Sequence, residues 1–374
     1  MKHLLPLDVN TCKVQPRRFY HYRILVLCMF CTIVYAYLYI SITYIYRTKT
    51  ISMKMDNTLS DLKYLQSNLK KLLRPINTKL NRSTINTDSY EIVRKKTKID
   101  GNSKQLLVLF TTFTTKSEKY VCRNNTLNNW NSFGTGVKPV FFSDDQHLYK
   151  EIKEKGWDVI PPTKTAIGVP ILKYMYLKVM KKYSAHFYAY VNGDILFTQN
   201  LNDTLQFILN SNVNHSEPML IVGQRTNVKE VTAEQASTFE NITKVSKKGK
   251  LFTTWGADYF ITNDVYPWKD CPEVVIGRRA YDNWLILNAR KRKHTTIDAT
   301  KTLLALHQTT KSGNKEGHTH LNGNFNAQLL SKLYKRINYA AGLTSCTSYI
   351  TTRNETSKEV QLLQRKIGKA CFPI

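Results

Sequence analysis

The sequence predicts an α/β domain, a parallel sheet with helices on both faces, carried behind a single N-terminal transmembrane helix and a stem. Three observations predict it. Apolar runs of strand length alternate with helical stretches between residues 105 and 200, a charge-free run fills Ile24–Tyr46, and polar, basic sequence separates the two. With 42% hydrophobic and 11% aromatic residues, the 374-residue chain can bury a sizeable core, which excludes wholesale disorder. Seven cysteines are too few for a disulfide scaffold.

Residues 1–23 are a cytoplasmic tail and 24–46 a signal anchor. At 1.5 Å per residue the run Ile24–Tyr46 spans about 34 Å, enough for a ~30 Å hydrocarbon core. Tyr35, Tyr37, Tyr39, Tyr44 and Tyr46 gather toward its C-terminal half, as an aromatic belt does. It is longer than the apolar stretch of a cleavable signal peptide and does not end in small residues. Lys2, Lys13, Arg17, Arg18 and Arg23 precede it, which favours a cytoplasmic N-terminus and a lumenal or extracellular remainder.

That topology changes the meaning of the formal charge, +28 from 55 Lys and Arg against 27 Asp and Glu. No nucleic acid is expected as a partner on the lumenal side of a membrane; anionic lipid, acidic glycans or a nucleotide diphosphate suit better. Sequons begin at Asn81, Asn124, Asn202, Asn214, Asn241 and Asn354, all beyond the anchor. Cys122, Cys271, Cys346 and Cys371 also follow it, and in an oxidising compartment they leave three possible pairings.

Residues 47–104 form the stem, partly helical. Leu62, Leu65, Leu69, Leu72 and Ile76 step 3, 4, 3, 4 before Pro75 breaks the pattern, which suits an amphipathic helix, a spacer or a homodimer through the stem. The domain occupies 105–374. Leu106–Phe110, Val137–Ser143 and Trp157–Ile160 are strands, and Gln146–Lys155 is helical. Pro170 opens a helix whose Leu172, Met175, Tyr176, Val179 and Met180 share one face. His186–Val191 is a strand that runs into Asn192-Gly193-Asp194.

In open α/β sheets, ligands bind beyond the carboxyl ends of strands, where Asp194 falls. Gly193 lets the backbone approach closely, and a carboxylate there can reach a hard cation bridging two phosphates. The segment Phe187–Phe197 resembles the D-x-D segment of nucleotide-sugar glycosyltransferases with the A-type fold, with Asn192 in place of the first Asp. The resemblance covers about residues 105–325, and the anchor and stem resemble those of Golgi glycosyltransferases. It implies a single-pass type II protein of the Golgi apparatus membrane, with one lumenal, Rossmann-like mixed-sheet glycosyltransferase A-type domain. That domain would move a sugar from a nucleotide-diphosphate donor to a glycan, glycoprotein or glycolipid acceptor, using Mn²⁺ or Mg²⁺.

Within the resemblance Asp194 and His307 are the metal ligands. Thr111, Thr112 and Phe113 lie where the family contacts the base, and Asp144 and Asp145 hold a similar position after the next strand. Asn192 can bond a ribose hydroxyl or a metal-bound water, and Lys173 faces the diphosphate; without a metal, Lys173, Arg278 or Arg279 would supply the positive charge. Trp255-Gly-Ala-Asp258 is similar to an acceptor segment, with Trp255 stacking on a sugar and Asp258 bonding a hydroxyl. Asp282 is the leading catalytic base. Gly313–Gly323, with His318 and His320, is a loop that could close over the donor.

Structural roles stand beside each of these: turns and helix N-caps for the threonines and acids, a solvated helix face for Lys173, core positions for Trp255 and His307. Two other functions also fit the chain. One is a catalytically inactive glycan-binding protein of the same fold, and the other a membrane-anchored adhesion or receptor protein, which predicts β-sandwich alternation.

Overall fold

Strand β1 (Gln105–Thr111) is apolar on both faces because it lies inside a sheet covered on both sides. The computed structural model describes residues 104–311, 313 and 320–374. All belong to the second of two units into which the chain divides, Met1–Lys96 and Thr97–Ile374. The predicted anchor, the stem leucines, Asn81 and the stretch 314–319 with His318 lie outside the described residues. Among those described, no helix is long and apolar enough to cross a membrane.

The strands that follow β1 are β2 (Val137–Phe142), β3 (Asp158–Ile160), β4 (Thr165–Ala166), β5 (Val169–Pro170), β6 (Ala185–Val191), β7 (Ile195–Phe197) and β8 (Met219–Val222). Then come β9 (Thr226–Lys229), β10 (Lys250–Leu251), β11 (Tyr259–Asn263), β12 (Thr295–Asp298), β13 (Ala305–Thr309), β14 (Tyr349–Arg353) and β15 (Val360–Gln364). A nine-stranded sheet has the order β15-β14-β12-β8-β11-β6-β1-β2-β3. It is mixed: β11 runs antiparallel to both neighbours and β15 to β14, while the other pairs are parallel. The fully parallel sheet suggested by strand–helix alternation is therefore corrected to a mixed one, as the resemblance implied, and the described residues form no β-sandwich.

Alternate residues of β1 feed two cores. Leu107 and Leu109 face Leu127 and Trp130 of α1 (Tyr120–Asn131), Leu148 and Ile152 of α2 (Gln146–Glu154) and Leu201 and Leu205 of α4 (Asn200–Asn210). Val108 and Phe110 face Met175 and Tyr176 of α3 (Leu172–Lys182) and Trp284 and Leu285 of α6 (Tyr281–Lys291). Two further helices, α5 (Phe239–Ser246) and α7 (Phe325–Leu333), complete the described set.

Three local expectations change. Pro170 does not open α3: it pairs with Thr165 in the β4–β5 hairpin, and Ile171 takes the N-cap position. The stretch Ile297–His307 is two strands, because Ala299–Leu304 turns the chain out of the large sheet into a second, four-stranded one of order β10-β9-β13-β7. Of the three cysteine pairings, the structure shows Cys346 bonded to Cys371. Cys271 is a buried thiol that burial pushes up to about 12.

Candidate active site

The turn between β6 and β7 is built by contacts that leave no room for a side chain at its centre. A Cβ on Gly193 would sit 2.7 Å from the carbonyl oxygen of Thr112 and from the Phe113 ring. Thr112 and Phe113, at the end of β1, are thus pressed against the Asn192–Asp194 turn. The turn's backbone is held on every side: Asn192 N–H donates to Asp258 O (2.9 Å), Thr126 Oγ1 to Gly193 O (2.9 Å) and Gln308 N–H to Asp194 O (3.0 Å).

Asp194 projects from this turn with one oxygen engaged and one idle. Its Oδ2 lies 3.3 Å from Nε2 of His307. Its Oδ1 is buried and has no hydrogen-bond partner. The pairing of β13 with β7 sets His307 opposite Ile195, and Thr309 Oγ1, 3.0 Å from His307 Nδ1, fixes the ring so that Nε2 faces the carboxylate. Burial alone would raise the Asp194 pKa; His307, and then Lys119 and Arg225, outweigh it and hold the carboxyl at about 2. The acid is ionised at any physiological pH.

Beside it, the antiparallel register of β11 on β6, Tyr259 opposite Val191, brings Asp258 up against Asn192. Asn192 Nδ2 donates to Asp258 Oδ1 (2.6 Å), and Tyr190 Oη donates to Asn192 Oδ1 (3.1 Å). Burial, and then the charges of Asp194 and Asp258, raise the Tyr190 pKa and keep it a donor. The other oxygen of Asp258 accepts from Arg225 Nη1. Arg225 is itself 7% exposed; it donates from Nε to Asn227 Oδ1 (2.9 Å) and lies 4.4 Å over the Phe252 ring. Both oxygens of Asp258 thus have protein partners, and so do both ends of the Asn192 amide. Arg225 was missed; its one sequence signal is a basic residue three positions beyond the carboxyl end of β8.

Asp282 lies half-buried in the first turn of α6, behind Ala280 with φ of +85°, a left-handed backbone that a residue with a Cβ adopts at a cost. Burial and then the charge of Asp258 raise its pKa to about 7, against opposing pulls from the Asn283 N–H, its own N–H and Arg225. A carboxyl poised there can accept a proton near neutral pH.

The remaining expected residues divide. Thr111 is wholly buried. Phe113 stacks on Phe141 with centroids 5.1 Å apart. Asp145 caps α2, its Oδ1 accepting from the N–H groups of His147 (2.8 Å) and Leu148 (3.3 Å), with Asp144 exposed beside it. Lys173 has its Nζ 3.9 Å from Glu273 in a cluster with Lys164 and Tyr174, and the groups that lower Asp194 are others. Trp255 is 49% exposed and tied to α6 through Asn283 Nδ2, which donates to its carbonyl (3.1 Å).

Among the described residues, no group of three or more His, Cys, Asp and Glu could hold a metal ion. Asp194 offers one carboxylate oxygen without a partner among the described residues, and His307 Nε2 would join it by releasing Oδ2, a fit for Mn²⁺ or Mg²⁺ if ligand oxygens and water complete the shell.

No protein-family model and no curated protein matches the sequence. Among solved structures the chain is similar to glucosyl-3-phosphoglycerate synthase from Mycobacterium tuberculosis in complex with Mg²⁺ and uridine diphosphate, at 9% identity and TM-score 0.33, covering 61% of this chain and 79% of that one. The same enzyme with Mn²⁺, uridine diphosphate and phosphoglyceric acid gives 10% identity, TM-score 0.34 and coverage of 71% and 88%. CMP:2-keto-3-deoxy-manno-octonic acid synthetase complexed with CTP gives 10%, 0.30, and coverage of 62% and 100%. Likenesses this distant carry no weight in the assignment of function, which rests on the site.

Proposed function

We propose that the chain is a membrane-anchored glycosyltransferase that moves a sugar from a nucleotide-diphosphate donor to a hydroxyl of a glycan, glycoprotein or glycolipid. The observation that carries this reading is Asp194: an ionised carboxylate on a glycine turn beyond β6, with a buried oxygen that no protein group satisfies. Leaving such an atom bare costs about 1–3 kcal/mol, so it is explained best by a ligand. A divalent cation there would neutralise the charge that gathers on the departing diphosphate. Gly193 keeps the approach open beside Thr112 and Phe113. Asp282 takes the proton from the acceptor hydroxyl as its oxygen bonds the anomeric carbon, and the old carbon–oxygen bond leaves its electron pair on the diphosphate. A single displacement of this kind inverts the anomeric centre.

Asn192 does not argue for an inactive relative. A second acid at that position would face the carboxylate of Asp258 at hydrogen-bond distance, so the amide is what the network requires. Type II topology and Golgi residence rest on the charge-free run and the basic residues before it, and the Cys346–Cys371 disulfide suits an oxidising lumen. Of the sequons, Asn214 and Asn354 lie in loops, whereas those at Asn124 and Asn202 have wholly buried threonines, Thr126 and Thr204. Glycosidase treatment should remove glycans from the first pair; an unglycosylated protein with a cytosolic C-terminus rejects the topology. Hydrolysis or transfer of nucleotide sugars by the purified full chain, with and without Mn²⁺, tests the activity. No turnover and no nucleotide binding across the common donors would reject it.

A further inference from the structure

Arg278 stands in the turn Gly277–Ala280 that enters α6, four residues before Asp282. The turn is fixed from below. Asn326, wholly buried, receives Val275 N–H at 2.8 Å and donates to the carbonyls of Val275 (2.8 Å) and Arg278 (3.3 Å). The guanidinium of Arg278 is half-buried, yet its Nε has no acceptor, and Nη1 donates only to the neighbouring Gly277 carbonyl (2.9 Å). Among the described residues, no carboxylate pairs with it. Burial pushes its pKa below the usual arginine value, as expected of a cation short of a counter-charge.

The third nitrogen sharpens the picture. Nη2 lies 3.3 Å from Nε2 of His320, and His320 Nδ1 accepts the N–H of Asn322 (3.1 Å). A neutral imidazole carries one ring proton, so an Nδ1 that accepts leaves that proton on Nε2. Two N–H donors then face each other, and among the described residues no acceptor lies between them. Arg279, exposed beside them, adds a second positive charge. Converging donors with no acceptor between them are unfavourable in isolation and favourable around an oxyanion, which accepts from both and pairs with the guanidinium fork.

We infer that Arg278 and His320 form an oxyanion-binding site, and that the acceptor of the reaction carries the anionic group, a phosphate, sulfate or carboxylate, that fills it. The word acceptor rests on the glycosyltransferase reading; the oxyanion site does not. The acceptor side is favoured because Arg278 stands on the turn that enters the helix of the base Asp282, four residues before it, while the groups that lower Asp194 are His307, Lys119 and Arg225.

Calorimetric titration of the full chain in detergent micelles, with inorganic phosphate and separately with uridine diphosphate plus Mn²⁺, tests this. Phosphate should bind the wild type. Arg278→Gln should weaken phosphate about tenfold or more and Arg278→Lys by less, because a lost charge-assisted hydrogen bond is worth roughly that factor. His320→Ala should also weaken it, and both variants should hold uridine diphosphate within about twofold. The inference is overturned if the wild type binds no phosphate, or if either Arg278→Gln or His320→Ala leaves phosphate binding unchanged. If Arg278→Gln instead loses uridine diphosphate, the oxyanion belongs to the donor and the acceptor assignment falls. Wild-type protein that binds phosphate but no nucleotide would sink the glycosyltransferase reading and leave the oxyanion site standing.

Discussion

Asp158 opens the edge strand β3 and Asp194 follows the inner strand β6, and each has its carboxyl held at about 2. Asp158, at the amino end of β3, is surrounded: Lys138 and Lys153 lie 3.1 and 3.3 Å from Oδ1, and Tyr183 donates to Oδ2 at 2.7 Å. Burial opposes its ionisation, and hydrogen bonds from Tyr183, Lys138 and Lys153 overcome that. Asp194, beyond the carboxyl end of β6, is equally acidic yet has an oxygen with no partner. A depressed pKa therefore does not identify a functional acid. The unsatisfied atom does, and Asp298 makes the same point at the site's own edge: it pairs with Arg365 at 2.7 Å, accepts from Thr300, and is fully spent on structure.

The comparison breaks first at Asp194. Asp194→Asn keeps the side chain's size and deletes its charge, so turnover should fall by about 10³-fold or more and Mn²⁺-dependent nucleotide binding should vanish. The melting temperature should fall modestly at neutral pH, since a carboxyl held at about 2 stabilises the fold while it is ionised. Near-normal turnover in this variant, measured by donor hydrolysis, would place Asp194 with Asp158 as a structural acid.

Asp282 is the next largest. Asp282→Asn should cost about 10²-fold or more in turnover and remove an acidic limb near pH 7 from the rate profile, because the base must be deprotonated to act. Its stability effect runs the opposite way. A carboxyl whose folded pKa is raised binds its proton more tightly when folded, so its stabilising contribution is complete below pH 3.8 and lost as pH rises through about 7. The variant should be more stable than wild type at pH 8, and the gap should close toward pH 4 in thermal melts. A limb near 7 that survives the substitution would assign it to another group.

What could be read from the sequence follows from how local each feature is. β1, β2 and β6 announce themselves as apolar runs, and the glycine turn follows directly from the end of one of them. The place of His307 beside Asp194 is not legible in spacing, since what sets it there is the register of two short strands, β7 and β13. The Arg225–Asp258–Asn192 chain was invisible because it depends on β11 running against β6, and no periodicity records strand direction. Asp145 and Lys173 show the opposite case: their local roles, helix cap and surface pair, are legible in the sequence, and the structure shows both.

That invisible chain supplies a subtler break. Asn192→Asp would set a carboxylate against Asp258 in place of the 2.6 Å amide bond, and two such acids cannot both ionise cheaply. Turnover should drop about tenfold and stability by roughly 2 kcal/mol at pH 7, with recovery as pH falls and one acid protonates. The double variant Asn192→Asp with Asp258→Asn restores one acid and one amide, and should regain most of the loss. Additive losses in the double variant would show that the two side chains act independently.

The smallest effect belongs to Asp158, and it is the control for all the others. Two of its three lysines are exposed, Lys153 by 54% and Lys182 by 44%, and Lys138 is 27% exposed, so solvent screens the pairs and Asp158→Asn should cost only about 1 kcal/mol. That corresponds to a shift of roughly 2–4 °C in melting temperature for a domain this size. Because the folded pKa is depressed, this stability is present above pH 3.8 and fades as pH falls through about 2, and it should shrink in high salt. Turnover should stay at the wild-type value, since the lysines that meet Asp158 are at the amino ends of the strands and the site is beyond their carboxyl ends. A loss of turnover at equal stability would mean that the basic edge takes part in the reaction, and the contrast between a satisfied and an unsatisfied acid would no longer separate structure from function.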